Sequence, residues 1–149
     1  LRNKYRDTLI IGIDIQGERI WKGAKDALEK KLDNVYFLRI QIQNIEEYIS
    51  ENSIDEIWIT FPDPFPRERD SKRRLISPRF IGMYKKILKK DGVIHLKTDS
   101  DGLYEYTLGV IEDMKLNTAI ASLMSFIKKI REDGFITKEE LRIFLILLT

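Results

Sequence analysis

The sequence predicts an α/β protein whose mostly parallel sheet is doubly wound, with helices on both faces. Short apolar runs such as residues 9–15 (LIIGIDI) are typical of strands that are buried on both faces. Between these runs, apolar residues recur at helical spacing, as in residues 20–32. Because strands and helices alternate along the chain, the strands are expected to run parallel in one sheet.

The order of elements follows from these two periodicities and from a few local signals. Apolar runs predict strands at residues 9–15, 35–40, 56–60 and 93–98, and helical spacing predicts helices at residues 20–32, 45–49, 78–89 and 103–114. Ser77 is predicted to cap the third helix, with Pro78 at its first position. Asp91 and Gly92 supply a turn. Residues 120–130 are predicted to be helical, while the apolar run at 141–148 fits either period and we favour a strand.

Length and composition indicate a single domain. A chain of 149 residues with a formal net charge of +2 is long enough for one core and too short for two. It has no cysteine, no apolar run of transmembrane length and no signal-peptide pattern, so a soluble cytoplasmic protein is expected. No cluster of His, Asp and Glu has metal-ligand spacing, so no metal site is expected. The single histidine, His95, is predicted to be structural, and Trp21 and Trp58 are predicted to lie in the core.

The most informative segment is residues 56–74 (EIWITFPDPFPRERDSKRR). A predicted strand ends in a loop of three prolines around one carboxylate, Asp63, and a cluster of arginines and lysines follows. Ligands of open α/β sheets bind at the carboxyl ends of the strands, so Asp63 is a candidate site residue. Residues 67–90 contain ten basic and two acidic residues, and this formal charge of +8 indicates a nucleic-acid partner. The lysines at 85, 86, 89 and 90 are equally well explained as the solvated face of a helix.

The sequence contains GIDI (residues 12–15) followed by Trp21, Gly23 and Ala24, ITFPDPFPRERDSKRRL (residues 59–75), and HLKTDSD (residues 95–101) followed by Tyr104. These three motifs resemble the bacterial tRNA (guanine-N7)-methyltransferase family. The combination of PDP with KRR is far more specific than a general nucleotide fingerprint. The resemblance extends over about two thirds of the chain. It implies a Rossmann-like methyltransferase fold, S-adenosyl-L-methionine as the cofactor and tRNA as the partner.

The resemblance also implies roles for individual residues. Asp63 would be the catalytic residue, which orients the guanine and stabilises its charge rather than acting as a general base, because N7 carries no proton. Asp14 would bind the ribose hydroxyls of the cofactor. Gln43 or Asn44 would contact its adenine. The expected substrate-binding residues are Arg67, Arg69, Lys72, Arg73, Arg74, Thr98, Asp99, Thr137 and Glu140.

The sequence departs from the family pattern at both ends. Thr137 and Glu140 match its last motif, yet Glu139 stands where an aromatic residue is usual, and the same segment also fits a helix capping box. The glycine-rich cofactor loop of the family lies upstream of GIDI, where only eight residues precede Leu9. We therefore expect the sequence to lack the first strand and this loop. The missing strand would lie between those at 9–15 and 56–60 and leave a gap of roughly 10 Å.

The sequence is compatible with three functions. The first is methyl transfer to N7 of a guanine in the variable loop of tRNA, with the basic cluster binding phosphates. The second is a non-catalytic RNA-binding protein or fragment of the same fold, and the third is a methyltransferase of this fold with another substrate. The sequence also leaves the choice between monomer and homodimer open.

Overall fold

The computed structural model describes residues 8–115, in which parallel strands alternate with helices. The strands are β1 (Ile10–Asp14), β2 (Val35–Arg39), β3 (Ile54–Thr60) and β4 (Leu88–Lys97), and the helices are α1 (Gly17–Glu29), α2 (Pro78–Ile87) and α3 (Asp101–Asp113). Two 3₁₀ helices, Ile42–Glu47 and Glu68–Arg73, complete this part of the chain. The protein is therefore α/β with parallel strands. The elements predicted at 120–130 and 141–148 lie outside the described residues.

The four strands form two separate two-stranded sheets. β1 pairs in parallel with β2, with Asp14 opposite Arg39, and β3 pairs in parallel with β4, with Thr60 opposite Lys97. The one continuous sheet expected from the sequence is thus not seen in residues 8–115. β1 and β3, the two strands between which a further strand is expected, do not pair with each other. Each of them has an edge that no described strand covers.

The core lies between the β3–β4 sheet and helix α2. Ile57 and Ile59 of β3 are buried, and so are Ile81, Tyr84 and Ile87 of α2. The helical spacing of the last three residues turns one face of α2 onto the sheet, and burial of apolar area is the dominant favourable term in folding. The chain between β3 and α2, which carries the prolines and the arginines, is therefore anchored by the core at both ends.

The start of α2 agrees with the prediction in position but not in bonding. Ser77 is the residue before the helix and Pro78 is its first residue. The Ser77 hydroxyl does not bond to the first turn of the helix, however. It donates instead to the carbonyl oxygen of Lys72 at 3.3 Å. Ser77 is buried, so this bond ties the end of the basic segment to the core.

Strand β4 begins earlier than predicted. Leu88 follows α2 directly and pairs with Ile54 of β3, and the register then shifts before Val93 pairs with Glu56. Residues 89–92 form the resulting bulge. Asp91 and Gly92, which were predicted to form a turn before the strand, therefore lie in a bulge within it. The hydrophobic pattern alone does not distinguish such a bulge from a turn that precedes a strand.

Helix α1 exposes much of its apolar stripe. Ala27 is the helix's buried residue, whereas Trp21 is 65% and Leu28 is 79% exposed. The prediction that Trp21 is a core residue is therefore wrong for the described part of the chain. The Nζ atom of Lys25 lies 5.4 Å from the centroid of the Trp21 ring. The spacing of apolar residues defines a helix face, but a sheet of only two strands covers just part of that face.

Trp58 and His95 stack on the face of the β3–β4 sheet opposite Ile57 and Ile59. Their ring centroids are 4.0 Å apart with planes inclined by 20°. The Glu56 carboxylate accepts a hydrogen bond from Trp58 Nε1 at 3.1 Å and lies 3.1 Å from His95 Nε2. Trp58 is half-buried, and this packing agrees with a structural role for His95.

The contact of α1 with its sheet requires glycine at two positions. The Phe37 ring of β2 lies between Gly12 of β1 and Gly23 of α1. A Cβ atom added at Gly23 would lie 2.6 Å from Phe37 Cε1, and one added at Gly12 would lie 2.9 Å from Phe37 Cδ1. Both distances are shorter than a carbon–carbon contact allows. The helix can approach the sheet this closely only because both positions lack a side chain.

We predict that Gly23→Ala lowers the free energy of unfolding by about 1–3 kcal/mol, because the added methyl group overpacks the site against the Phe37 ring. Gly109→Ala on α3 is the matched control, since beyond its own helix backbone no atom of residues 8–115 lies within 4 Å of the Cβ position there. Alanine is the better helix former by up to about 1 kcal/mol, so the control should be neutral or stabilised. Urea denaturation of both variants measures the difference. Equal midpoints would contradict close packing at Gly23.

Candidate active site

Asp14 ends strand β1 with a buried carboxylate, 4% exposed. Its Oδ1 atom accepts a hydrogen bond from the Gln16 N–H at 2.8 Å. Its Oδ2 atom is buried and accepts no hydrogen bond from residues 8–115, and Arg19 Nη1 lies 3.6 Å away. A buried carboxylate oxygen in this state has unused capacity to accept hydrogen bonds. Asp14 is therefore suited to a ligand with hydroxyl donors.

The chain after β2 carries the two predicted adenine contacts. Gln43 and Asn44 lie in the 3₁₀ helix Ile42–Glu47. Gln43 is exposed, and its side-chain amide donates to Gln41 Oε1 at 2.7 Å. Asn44 is half-buried, and its backbone N–H donates to the Gln41 carbonyl at 2.9 Å. Both side chains thus follow the end of β2, as expected for residues beside a cofactor acid on β1.

The loop after β3 holds Asp63 in a defined orientation. Asp63 is exposed, and its Oδ1 atom accepts a hydrogen bond from the backbone N–H of Phe65 at 3.0 Å. This is the turn geometry expected of an aspartate among prolines. Phe61 and Phe65, two residues to either side, have φ values of 48° and 40°. Non-glycine residues rarely adopt such values, and they persist where the surroundings hold them.

An aromatic ring and a cation stand beside this loop. Phe61 is 49% exposed, and its backbone N–H donates to the carbonyl of Lys97 at 2.7 Å, which extends the pairing of β3 with β4. The Lys97 Nζ atom lies 4.9 Å from the centroid of the Phe61 ring. Burial lowers the pKa of the Lys97 ammonium group, and a cation over a ring face is favourable.

Four of the five predicted phosphate contacts in the basic segment are exposed cations. These are Arg67, Arg69, Lys72 and Arg73. The last three belong to the short helix Glu68–Arg73. Arg73 contacts Asp70 at 3.5 Å and its guanidinium lies 4.5 Å from the centroid of the Phe65 ring. Exposed ion pairs of this kind are weak, so these side chains are free to rearrange toward a phosphate.

Arg74 differs from its neighbours because it is buried, with 6% exposure. Its guanidinium donates to the carbonyl oxygens of Pro64 and Phe65 and lies 4.2 Å from the centroid of the Tyr106 ring. Burial raises the pKa of the Tyr106 hydroxyl, while the charge of Arg74 lowers it and that of Glu68 raises it. Arg74 therefore faces its own protein in this structure rather than solvent.

The lysines of α2 and β4 are partly engaged in ion pairs. Lys86 Nζ lies 3.0 Å from Glu46 Oε2, and Lys89 Nζ lies 2.8 Å from Asp55 Oδ1. Both pairs are exposed, as expected for the solvated face of a helix and its flank. For these two lysines the structure supports that explanation over a phosphate contact.

The predicted substrate contacts after β4 lie in a capping turn. Thr98 is buried, and its hydroxyl oxygen accepts the Ser100 N–H at 3.1 Å. The Ser100 hydroxyl in turn accepts the Leu103 N–H at 3.2 Å and so caps α3. Asp99 is exposed. Thr137 and Glu140 lie outside the described residues.

A cleft of about 780 Å³ lies between β1 and β3, and its lining combines apolar side chains of these strands with residues of the segment after β2, of the basic segment and of α2. Its lining includes five of the predicted site residues: Asp14, Gln43, Asp63, Lys72 and Arg73. The other predicted residues that the structure describes do not line it: Asn44, Arg67, Arg69, Arg74, Thr98 and Asp99. The cleft therefore brings the two candidate acids and two of the candidate phosphate contacts into one site.

Two arginines at the site were not among the predicted residues. Arg79 lines the cleft from the first turn of α2. Arg19 lies in the first turn of α1, beside Asp14. The basic run at residues 67–90 includes Arg79, so its charge was visible in the sequence. No comparable signal marked Arg19, whose closeness to Asp14 depends on the turn between β1 and α1.

Residues 8–115 contain neither a candidate metal site nor a candidate membrane-spanning helix. No group of three or more His, Cys, Asp or Glu side chains there could hold a metal ion. No helix in the same range is long and apolar enough to span a membrane.

Curated proteins named tRNA (guanine-N(7)-)-methyltransferase are similar to about three quarters of this chain. A curated tRNA (guanine-N(7)-)-methyltransferase of Christiangramia forsetii is 51% identical over 111 residues, which are 74% of this chain and 50% of the relative. The protein of the same name from Porphyromonas gingivalis is 44% identical over 75% of this chain and 45% of the relative. That of Lactobacillus gasseri is 37% identical over 72% of this chain and 50% of the relative.

The chain thus spans about half the length of the curated relatives it matches. A family model described as putative methyltransferase matches residues 1–144. That match includes Asp14, Asp63 and the basic segment. The chain therefore belongs to this putative methyltransferase family.

Proposed function

We propose that the protein transfers a methyl group from S-adenosyl-L-methionine to N7 of a guanine in the variable loop of tRNA. The observation that carries this proposal is the meeting of four charged side chains on one cleft. They are the carboxylates of Asp14 and Asp63 and the cations of Lys72 and Arg73. The names of the relatives support the reaction class and the nucleic acid. A cofactor acid, a base-binding acid and phosphate contacts are the groups that this reaction requires.

The end of β1 fits the adenosyl part of the cofactor. Asp14 lines the cleft, and its Oδ2 atom accepts no hydrogen bond from the described residues, so the two hydroxyls of a ribose would have an acceptor there. Gln43 and Asn44 carry amides, which can both donate to and accept from an adenine edge. When bound, S-adenosyl-L-methionine supplies a methyl group on a positively charged sulfur, which becomes a neutral thioether once the nitrogen has taken the methyl group.

Asp63 is the residue that we assign to the guanine. Because N7 of neutral guanine carries no proton, Asp63 has no proton to remove. Its carboxylate would accept hydrogen bonds from guanine N1–H and the exocyclic amine, which orients the base and stabilises the positive charge that the purine acquires. The bond from Phe65 to Oδ1 fixes the carboxylate beforehand. Preorganisation of this kind avoids rearrangement during the reaction.

The exposed cations of residues 67–73 are the proposed tRNA-binding surface. Arg67, Arg69, Lys72 and Arg73 would bind phosphates and release counterions. Thr98, Asp99, Thr137 and Glu140 stay as predicted contacts to the nucleotide. A cytoplasmic location follows from a tRNA substrate. The alternative of an RNA-binding protein without catalysis would use the same cations and leave the buried oxygen of Asp14 without a role.

We further propose that the apolar part of the cleft between β1 and β3 receives one more parallel strand of the same polypeptide, which completes a doubly wound, Rossmann-like sheet. The carboxyl ends of β1 and β3, where Asp14 and Asp63 lie, would stay open to ligands. Two observations support the added strand. β1 and β3 each have an edge that is not paired within residues 8–115, and apolar side chains line the space between them. The relatives are about twice as long as the matched segment, so they contain chain enough for the strand and for a cofactor loop. Unpaired backbone groups on both edges would then be satisfied.

Two assays on the full-length protein test the proposed activity. Transfer of tritiated methyl groups from S-adenosyl-L-methionine to tRNA reports the reaction, and isothermal titration with S-adenosylhomocysteine reports cofactor binding. We expect both to be positive. A protein that binds tRNA but neither binds S-adenosylhomocysteine nor transfers label would contradict the proposal and favour the non-catalytic alternative.

Arg73→Ala is expected to weaken tRNA binding several-fold and to reduce the slope of log affinity against log salt by about one, because one phosphate contact is lost. Lys22→Ala is the matched control. It removes the same charge from an exposed position on α1 that does not line the cleft. Filter binding at a series of salt concentrations measures both slopes. Equal slopes for the two variants would show that Arg73 does not contact phosphate.

A further inference from the structure

Arg74 stands in a run of cations but has a different environment. It is 94% buried, whereas Lys72 and Arg73, directly before it, are exposed. Burying a guanidinium is unfavourable unless its donors are satisfied and its charge is compensated. Two nitrogens of the Arg74 guanidinium are bonded to backbone carbonyls and its face lies against the Tyr106 ring, so these contacts indicate what Arg74 does.

The donors of Arg74 converge on the loop that contains Asp63. Nε donates to the carbonyl oxygen of Pro64 at 3.0 Å and to that of Phe65 at 3.2 Å, and Nη2 donates to the Phe65 carbonyl at 3.0 Å. The guanidinium is planar and its donors are fixed relative to one another. It therefore holds two consecutive carbonyl groups in one orientation, directly after Asp63.

Phe65 is bound on both sides of its backbone. Its carbonyl accepts from Arg74, and its N–H donates to Asp63 Oδ1 at 3.0 Å. Its φ of 40° is a conformation that a bulky residue adopts only when neighbouring groups impose it. Arg74 thus acts on the Asp63 carboxylate through one intervening residue.

The face of the guanidinium rests on α3. Its central carbon lies 4.2 Å from the centroid of the Tyr106 ring, and a stacked guanidinium can still use its in-plane donors. α3 begins after β4, the partner of β3. Tyr106 therefore gives Arg74 a support from a second element, independent of the loop.

From these contacts we propose that Arg74 is a positioning residue, which fixes the Asp63 carboxylate for the guanine by clamping the Pro64 and Phe65 carbonyls against Tyr106. The inference rests on the proposed methyl transfer and replaces the phosphate contact expected of Arg74 from the sequence. A lysine at this position lacks the planar fork and the stacking face. The reacting groups would then be less well aligned, and misplacement by about 1 Å can cost about 100-fold in rate.

Arg74→Lys in the full-length protein tests the clamp. We expect kcat for tRNA methylation to fall by about 100-fold, while KM for tRNA and the salt dependence of tRNA binding stay unchanged. Arg73→Ala should have the opposite effect, with a raised KM for tRNA and an unchanged kcat. A raised KM and a reduced salt slope for Arg74→Lys, with kcat unchanged, would overturn the proposal and return Arg74 to the phosphate contacts.

Tyr106 provides a second pair of variants that leaves the buried charge in place. Tyr106→Phe keeps the ring and should retain kcat, whereas Tyr106→Leu removes the stacking face and should lower kcat without changing KM. Tyr106 is half-buried, so this pair stays informative if Arg74→Lys fails to fold. Equal kcat values for the two Tyr106 variants would contradict the support from α3.

Hydrogen exchange of the Phe65 amide separates the clamp from the proposed function. Its N–H is bonded to Asp63, so release of the loop should raise its exchange rate in Arg74→Lys and Tyr106→Leu but not in Tyr106→Phe. This readout does not depend on methyl transfer. If the protein methylates no tRNA but the Phe65 amide exchanges faster in these two variants, the clamp is supported and the proposed function is contradicted. Unchanged exchange in both loosened variants would reject the clamp.

Discussion

Asp63→Asn is expected to lower kcat for methyl transfer by about 100- to 1000-fold, the effect of removing one preorganised electrostatic contact to developing charge. Asparagine retains an oxygen that can accept the Phe65 N–H, so the turn should survive. What the substitution removes is the negative charge, and one acceptor is replaced by a donor that faces the guanine donors. The affinity for tRNA should change little, because Asp63 makes no phosphate contact in this account.

The control for this prediction is Asp113→Asn, which removes the same charge from the exposed end of α3. Its turnover should equal that of the wild-type protein. Single-turnover kinetics with saturating cofactor measure the chemical step for both variants. Turnover within a few-fold of wild type for Asp63→Asn would reject Asp63 as the catalytic residue.

Asp14→Asn is expected to weaken binding of S-adenosylhomocysteine by about 10- to 100-fold. A hydrogen bond to a charged group contributes about 1.5–3 kcal/mol, and each 1.4 kcal/mol is tenfold in affinity. Asparagine retains an acceptor for the Gln16 N–H, so the turn after β1 should persist. The lost feature is the charge on Oδ2, which accepts no hydrogen bond from residues 8–115. Affinity for tRNA should stay the same, which distinguishes this variant from Arg73→Ala.

Asp26→Asn, on the exposed side of α1, is the control for Asp14. Isothermal titration with S-adenosylhomocysteine gives both dissociation constants. Equal constants for Asp14→Asn and Asp26→Asn would show that the oxygen at the end of β1 does not bind the cofactor.

The repeating elements could be predicted from the sequence because they depend on local periodicity. The β1 and β3 runs are continuous enough to indicate buried strands, and the stripe on α2 is that of a core helix. Parallel pairing of β3 with β4 followed from the helix between them. The assembly of strands into sheets is a non-local property, and the two separate sheets of residues 8–115 were not visible in any single run.

The candidate site could be predicted only where the local sequence marks a residue. Strand-end acids such as Asp14 and Asp63 are marked by their position after an apolar run. Nothing local separates Arg74 from Arg73, since the two are adjacent and identical in type. Their environments differ because Tyr106, far along the chain, lies against one of them. Trp21 was predicted to be buried because it lies on the apolar face of a helix. It is exposed because no described element covers that part of the face.

The most direct test of the proposed reaction is to map the methylated atom in tRNA after incubation with the full-length protein and S-adenosyl-L-methionine. Methylation at N7 makes a guanosine labile to reduction and strand scission, so the modified position can be read from the length of the cleaved fragment. We predict one cleavage, at a guanine of the variable loop, and none with Asp63→Asn. Cleavage elsewhere in the tRNA, or label transferred without any cleavage, would contradict the proposed reaction.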